Sequence, residues 1–217
     1  MSKTPYVAAA VVLAGAAIAV VAVLPAETGW DPTGLGEKLG LTEIADPVGE
    51  ETLRGQARME QQEVLSLSDT PAEPEGGYTD EWTYELAPFD SIEFKYTIAE
   101  GQPMQFEWSG TGPLHYDMHA HPFEGGTEMT ESYGIGDAQR IGGTYTPAFS
   151  GIHGWFWENR SMNTVTLTLR ASGGMTNSTV FTTAGEMDRP LEGVDPGEQQ
   201  TVEGHSMQSG EEAAPAD

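Results

Sequence analysis

The sequence predicts a mainly β protein: one antiparallel β-sandwich or jelly-roll domain behind a single N-terminal transmembrane helix, with a disordered acidic C-terminal tail. Three observations predict it. An uncharged apolar run extends from Tyr6 to Leu24. Sixteen of the nineteen aromatic residues lie between Tyr78 and Trp157. Apolar residues alternate with polar ones through that same stretch, the period of a strand with one buried face.

Residues 1–25 form the anchor. A helix rises about 1.5 Å per residue, so the run from Tyr6 to Leu24 can cross a hydrocarbon core about 30 Å thick. A cleaved signal peptide is the rival reading, but its apolar region is usually about 7–15 residues long and ends at a small-x-small site. Here Leu24 stands third before any cut after Ala26, a poor site, so an uncleaved anchor in the lipid bilayer through residues 6–24 is expected. Lys3 precedes the run and no excess of Lys or Arg follows it. The positive-inside rule then places the N-terminus in the cytoplasm and everything after Pro25 outside.

Residues 26–77 read as a juxtamembrane collar, an acidic stem and a linker. Asp31 suits an N-cap and Pro32 the first helical position. Leu35 and Leu39 then share a face, with Trp30 at headgroup level. Glu50 to Val64 is polar, with Leu53, Ala57, Met59 and Val64 scattered through it, and reads as an exposed helix. Ser66 to Gly77, with Pro71, Pro74 and Gly76-Gly77, reads as a linker.

Residues 78–173 carry the folded domain. The alternating sets are Trp82, Tyr84 and Leu86; Ile92, Phe94, Tyr96 and Ile98; Met104, Phe106 and Trp108; Leu114, Tyr116, Met118 and Ala120; and Val165, Leu167, Leu169 and Ala171. Glycine-rich turns separate them. About seven or eight strands of this kind make one sandwich. Residues 174–217 lose the pattern, and from Ala184 to Asp217 there are nine acidic residues, one Arg and no aromatic residue. Such a segment cannot bury enough apolar surface to offset its ordering entropy, so a disordered tail is expected.

Composition narrows the function. The chain has no cysteine, which excludes disulfides and thiolate metal sites. A formal charge of -25 with three lysines argues against binding nucleic acid or anionic lipid through a basic patch. There is no Gly-x-Ser-x-Gly elbow, phosphate-cradling loop or cysteine nucleophile, so a non-enzymatic role is expected. A metal-dependent hydrolase would further need an open coordination position and a general base.

The densest candidate for chemistry is His115-Tyr-Asp-Met-His-Ala-His121, which holds three of the five histidines. On a strand, His115, Asp117, His119 and His121 share one face and Tyr116, Met118 and Ala120 the other. With the latter set in the core, the histidines face solvent or a covering loop. Alternate side chains stand about 7 Å apart, near enough for two imidazoles to converge on one ion at about 2.0–2.1 Å. The whole segment spans roughly 20 Å, so one ion takes two or three of the four groups and needs a donor from elsewhere. His153, in Ser150-Gly-Ile-His-Gly-Trp-Phe-Trp-Glu-Asn-Arg160, is the expected donor, and copper or zinc the expected ion. Two plainer readings stand beside this one. In the first, His153 and the histidine face form a hydrogen-bonded structural cluster. In the second, Trp155, Trp157 and the histidine face dock a partner membrane protein. His205-Ser-Met207 carries copper-type donors in a tail that otherwise reads as inert.

Two segments resemble a known family. The apolar run followed by Leu-Pro-Ala-Glu-Thr-Gly-Trp-Asp-Pro-Thr-Gly-Leu-Gly, together with Tyr116-Asp-Met-His-Ala-His121 and Gly151-Ile-His-Gly-Trp-Phe-Trp-Glu-Asn-Arg160, resembles bacterial proteins labelled transmembrane anchor proteins. The resemblance covers anchor, collar and folded domain, and implies an inner-membrane protein with its domain in the periplasm. More distantly, the strand run, with Gly143-Thr-Tyr145, Trp157-Glu-Asn159 and the final Val-Thr-Leu-Thr-Leu, looks like the Golgi-dynamics (GOLD) β-sandwich. Those receptors carry their span near the C-terminus and two cysteines this chain lacks, so the likeness implies a fold alone. The expectation is a membrane-anchored periplasmic protein that binds copper or zinc through its strand-borne histidines. The alternative is an adaptor subunit for a membrane-protein partner.

Overall fold

Every segment that alternates in the sequence forms strand. In the computed structural model, which describes residues 13, 15–42, 48–68, 70–182, 184–195, 197 and 202, the strands are β1 (Leu65–Ser68), β2 (Asp80–Leu86), β3 (Ser91–Ile98), β4 (Met104–Pro122), β5 (Glu131–Tyr145), β6 (Gly151–Glu158), β7 (Val165–Gly173), β8 (Met175–Thr182) and β9 (Gly185–Arg189). All pair antiparallel. The chain divides into two units, Met1–Glu50 and Glu51–Asp217.

The long strands β4 and β5 organise the second unit. They form a hairpin joined through the 3-10 turn Gly126–Met129, and its register shifts between Ser109 and Leu114, where glycines 110 and 112 let the strand bend. Before the bend β4 carries β7, which carries β2, while β1 lines the far edge of β5. Beyond it β4 carries β6, followed by β3, β8 and β9. The predicted core sets meet between these layers, with ring centroids 4.7 Å apart for Trp82 and Phe94, 4.7 Å for Phe106 and Trp155, and 5.9 Å for Trp108 and Trp157. Each such buried aromatic side chain contributes about 2–3 kcal/mol of apolar burial. Asn159 holds the turn after β6, its side-chain oxygen accepting from the Ser161 amide at 3.1 Å.

Three boundaries differ from the sequence reading. The predicted linker starts inside a strand, because β1 pairs Ser66 with Thr144 on the open edge of β5. The predicted tail begins with two strands: β8 saturates the free edge of β3, and Arg189 of β9 donates to Asp80 at 2.6 and 3.0 Å. Hydrogen-bond demand at an open edge, not apolar content, decides their structure. The stem helix Glu50–Met59 is packed rather than free: Arg54 Nε donates to the Thr130 carbonyl at 2.8 Å, Arg58 pairs with Glu131 at 2.7 Å, and Gly55 lies against Ser132.

In the first unit, a short helix Leu24–Thr28 ends at Gly29 in the left-handed region (φ 68°). Asp31 accepts from the Thr33 and Glu37 amides at 3.1 and 3.0 Å and so holds the turn into the helix Leu35–Lys38, but the N-cap is Gly34 and not Asp31, and Pro32 lies in the turn rather than at the first helical position. Those amides hold the Asp31 carboxyl below the ordinary carboxylate range. Of the expected span, residues 6–12 and 14 lie outside the described residues. Among the described residues no helix is long and apolar enough to cross a membrane.

Candidate metal centre

Strand parity assigns the two faces of the β3–β6–β4 layer. Phe94, Tyr96, Trp155, Trp157, Tyr116 and Met118 face the core. The opposite face carries three rows in register: Glu93, Phe156 and Asp117; Lys95, Gly154 and His119; and Thr97, Ile152 and His121. In an antiparallel sheet two strands apart means about 10 Å, too far for most side chains to meet. Gly154 leaves the middle row open, and Glu93 and Lys95 lean across it to the histidines. A side chain there has no room, since a Cβ on Gly154 would stand 2.0 Å from the Phe94 carbonyl oxygen.

The face is buried, not solvated. Glu93, His119 and His121 are 7%, 9% and 6% exposed, and Lys95 is fully enclosed. Ile152, Phe181 and Val202, with Phe123 against them, make a second apolar cluster on this side. The carboxylate and the two imidazoles bring ligand atoms within 4.8 Å of one another, so Glu93, His119 and His121 could hold a metal ion.

The hydrogen bonds around the histidines decide which ring nitrogens face inward. Thr130 Oγ1 donates its one proton to the Thr127 carbonyl at 2.6 Å. It must therefore accept from His121, and His121 Nδ1, 2.7 Å away, carries a proton. The Asp117 carbonyl, 3.2 Å from His119 Nδ1, can likewise only accept. With Nδ1 protonated, the neutral form of each ring turns its Nε2 lone pair toward Glu93 Oε1, 3.0 Å from His119 and 3.7 Å from His121, whereas a second proton on His119 Nε2 makes that contact a hydrogen bond to the carboxylate. Oxygen and nitrogen lone pairs 3.0 Å apart repel unless a proton or a metal cation stands between them. Ligand atoms about 2.0–2.1 Å from a tetrahedral ion lie about 3.3 Å from each other, between the two observed distances.

A cation is already near. Lys95 Nζ donates to the His119 carbonyl at 3.0 Å and lies 3.2 Å from Glu93 Oε1. Burial pushes its ammonium pKa down, with Glu93 and Asp117 opposing the shift. The layer holds Glu93 by charge from one side and offers it imidazole nitrogens from the other.

The other residues singled out in the sequence are placed differently. Asp117 orients rather than converges: its carboxylate accepts from Ser132 Oγ and stands 3.7 Å from His119 on the Nδ1 side. His115 lies two residues before Asp117 on β4 and pairs with Asp137 at 3.0 Å. His153 is not brought to the cluster. It sits on the core face opposite Ala120 and Tyr96, with its Nδ1 2.7 Å from the Tyr145 hydroxyl. Burial, aided by the Lys95 charge, pushes its pKa down from 6.5 to about 3, so the ring is neutral. Its parity was legible, since His153 alternates with Trp155 and Trp157 and core indoles carry it inward. Those two tryptophans are 1% and 0% exposed, which removes them from any docking face. Glu93 went unread, and its signal was the polar alternation Glu93-x-Lys95 on a strand whose other face is wholly apolar. His205 and Met207 lie outside the described residues.

No protein-family model matches the chain, and no curated protein is similar to it. Among solved structures it is similar to one titled "Crystal structure of PirA", at 14% identity over 46% of this chain and 97% of that one, with a TM-score of 0.31.

Proposed function

We propose that the domain binds a divalent first-row transition ion, zinc or copper(II), through Glu93 Oε1 and the Nε2 atoms of His119 and His121. The observation that carries this is the convergence of the three ligand atoms on rings whose Nδ1 sides are engaged outward: Thr130 and the Asp117 carbonyl each take an Nδ1 proton, which leaves Nε2 of each neutral ring as its metal-binding atom. Outer hydrogen bonds of this kind orient histidine ligands and raise their basicity. Imidazole with carboxylate suits zinc and copper(II), and the absence of cysteine leaves no thiolate competitor. The run Tyr6–Leu24 would hold the domain at a bacterial inner membrane on its periplasmic side, as the resemblance and the charge flanking the run imply. The role is binding rather than catalysis.

One observation favours a second reading. Lys95 already stands 3.2 Å from Glu93, so its ammonium would balance the carboxylate with no metal, as a structural charge cluster to which the histidines only hydrogen-bond. Calorimetric titration of the full chain with Zn²⁺ and Cu²⁺ separates the two. The metal reading expects one ion at micromolar affinity or tighter, lost in the His119→Ala, His121→Ala double variant. Affinity no tighter than millimolar, or equal in the variant, favours the charge cluster and rejects the metal site.

A further inference from the structure

The second unit holds a cleft of about 460 Å³, inside the size range of small-ligand sites. Three connections build it, and Ser150 ties them together. Its hydroxyl accepts from the Glu100 amide at 3.0 Å and its carbonyl from the Phe123 amide at 3.2 Å. Those bonds fix the turns after β3 and β4 against the loop between β5 and β6. Phe149 of that loop is backed by His153, the two rings 5.2 Å apart. Phe123 packs in turn on the Ile152, Phe181 and Val202 cluster. Met129, at the end of the 3-10 turn and 50% exposed, completes an apolar wall with these two rings. The wall is in place before a ligand arrives, and such preorganisation lowers the cost of binding.

The charge of the cleft is one-sided. Among the described residues that line it, Arg58 is basic and Glu100, Glu124 and Glu131 are acidic. Arg58 is spent on Glu131: its Nη2 donates to Oε1 at 2.7 Å and its Nε to Oε2 at 3.1 Å. The Tyr133 hydroxyl donates to the same carboxylate at 3.0 Å. Glu100 and Glu124 are exposed, and among the described residues neither has a cation in ion-pair contact. Two free carboxylates beside two phenyl rings and a thioether suit a group that is both cationic and apolar. An ammonium gains from carboxylate and ring face together, whereas an anion is repelled and a neutral ligand forgoes the charge.

We propose that this cleft binds a small organic cation, an ammonium or guanidinium carried on an apolar stem. Phe123, Met129 and Phe149 take the stem, and Glu100 and Glu124 take the charge. The site shares no residue with Glu93, His119 and His121 and needs no metal, so it stands or falls apart from the metal reading.

The test uses the full chain labelled with ¹³C-methyl methionine, the Met129 signal being assigned by its loss in Met129→Leu. Benzylammonium should move that signal saturably, with one ligand per chain. Benzyl alcohol, uncharged and of the same shape, should bind at least about fivefold more weakly, and benzoate should not saturate. Glu100→Gln with Glu124→Gln, both at exposed positions, should weaken benzylammonium at least about fivefold. No saturable shift at about 10 mM benzylammonium, above the roughly millimolar affinity a ligand of this size attains, would overturn the site. Equal affinity for benzyl alcohol, or an unchanged affinity in the double variant, would overturn the cation specificity. A basic peptide, acetyl-Lys-Phe-Lys amide, binding tenfold or more tighter than benzylammonium would assign the cleft to a protein partner and overturn the small-molecule occupant.

Discussion

His153 is enclosed on the core face with Tyr145 and Phe149 against its ring, and its protonation should govern how the domain responds to acid. Burial lowers its pKa from 6.5 to about 3. In the window between those values the unfolded chain binds one proton that the folded chain does not. Stability is therefore fully present above about pH 6.5 and falls as pH is lowered, by about 1.4 kcal/mol per pH unit, until the folded ring protonates near pH 3. At pH 4.5 the loss through this one group is about 3 kcal/mol, a large share of the roughly 5–15 kcal/mol of a typical domain. Urea unfolding followed by tryptophan fluorescence at pH 7.5 and 4.5 measures it, with His153→Gln as the comparison. Glutamine keeps a polar partner for the Tyr145 hydroxyl but does not titrate. The variant should be less stable at pH 7.5 yet lose about 3 kcal/mol less on going to pH 4.5, because every other titrating group is common to both proteins. Equal losses would show that His153 is not buried as a neutral ring.

Three other perturbations follow from close contacts. Gly55→Ala would gain about 1 kcal/mol in a free helix. Here the added Cβ would stand 1.8 Å from the Ser132 carbonyl oxygen, so a net loss of about 1–3 kcal/mol is expected, and a raised melting temperature would refute the packing. Thr130→Val preserves the shape beside His121 but removes the acceptor of its Nδ1 proton, and should weaken Zn²⁺ binding about 10–100-fold at unchanged stoichiometry. Unaltered affinity in a titration would disprove the tautomer argument. Asp80→Asn cuts the charge that Arg189 and the Tyr96 hydroxyl share. Because Arg189 is partly exposed, a cost of about 2 kcal/mol is expected, with faster hydrogen exchange confined to β8 and β9; exchange unchanged there would mean that the clasp does not hold the edge.

Alternation was a sound guide where burial is one-sided. Leu86, Phe106, Trp108 and Leu167 lie in the core because a strand with one wet face writes its burial as period two. The guide weakens at β3, where Glu93 and Lys95 are buried as well as Phe94 and Tyr96, so polar residues no longer mark the exterior. It fails at β8, where Thr176, Asn177, Ser178 and Thr179 look like the start of a tail and become strand because β3 has an edge to satisfy.

By itself the sequence determined that His119 and His121 share a face opposite Met118, that no more than two or three groups of that segment could serve one ion, and that a further donor was required. Parity and rise per residue are properties of the local backbone, readable without knowing any partner. Only the tertiary structure decided which group meets those histidines. Glu93 reaches the histidines from β3 across the open position at Gly154, while His153 is turned to the other side of the same sheet. Those outcomes depend on which strands pair and in what register, and packing of the whole sandwich sets both, because a shift of one residue would send every side chain of a strand to the opposite face.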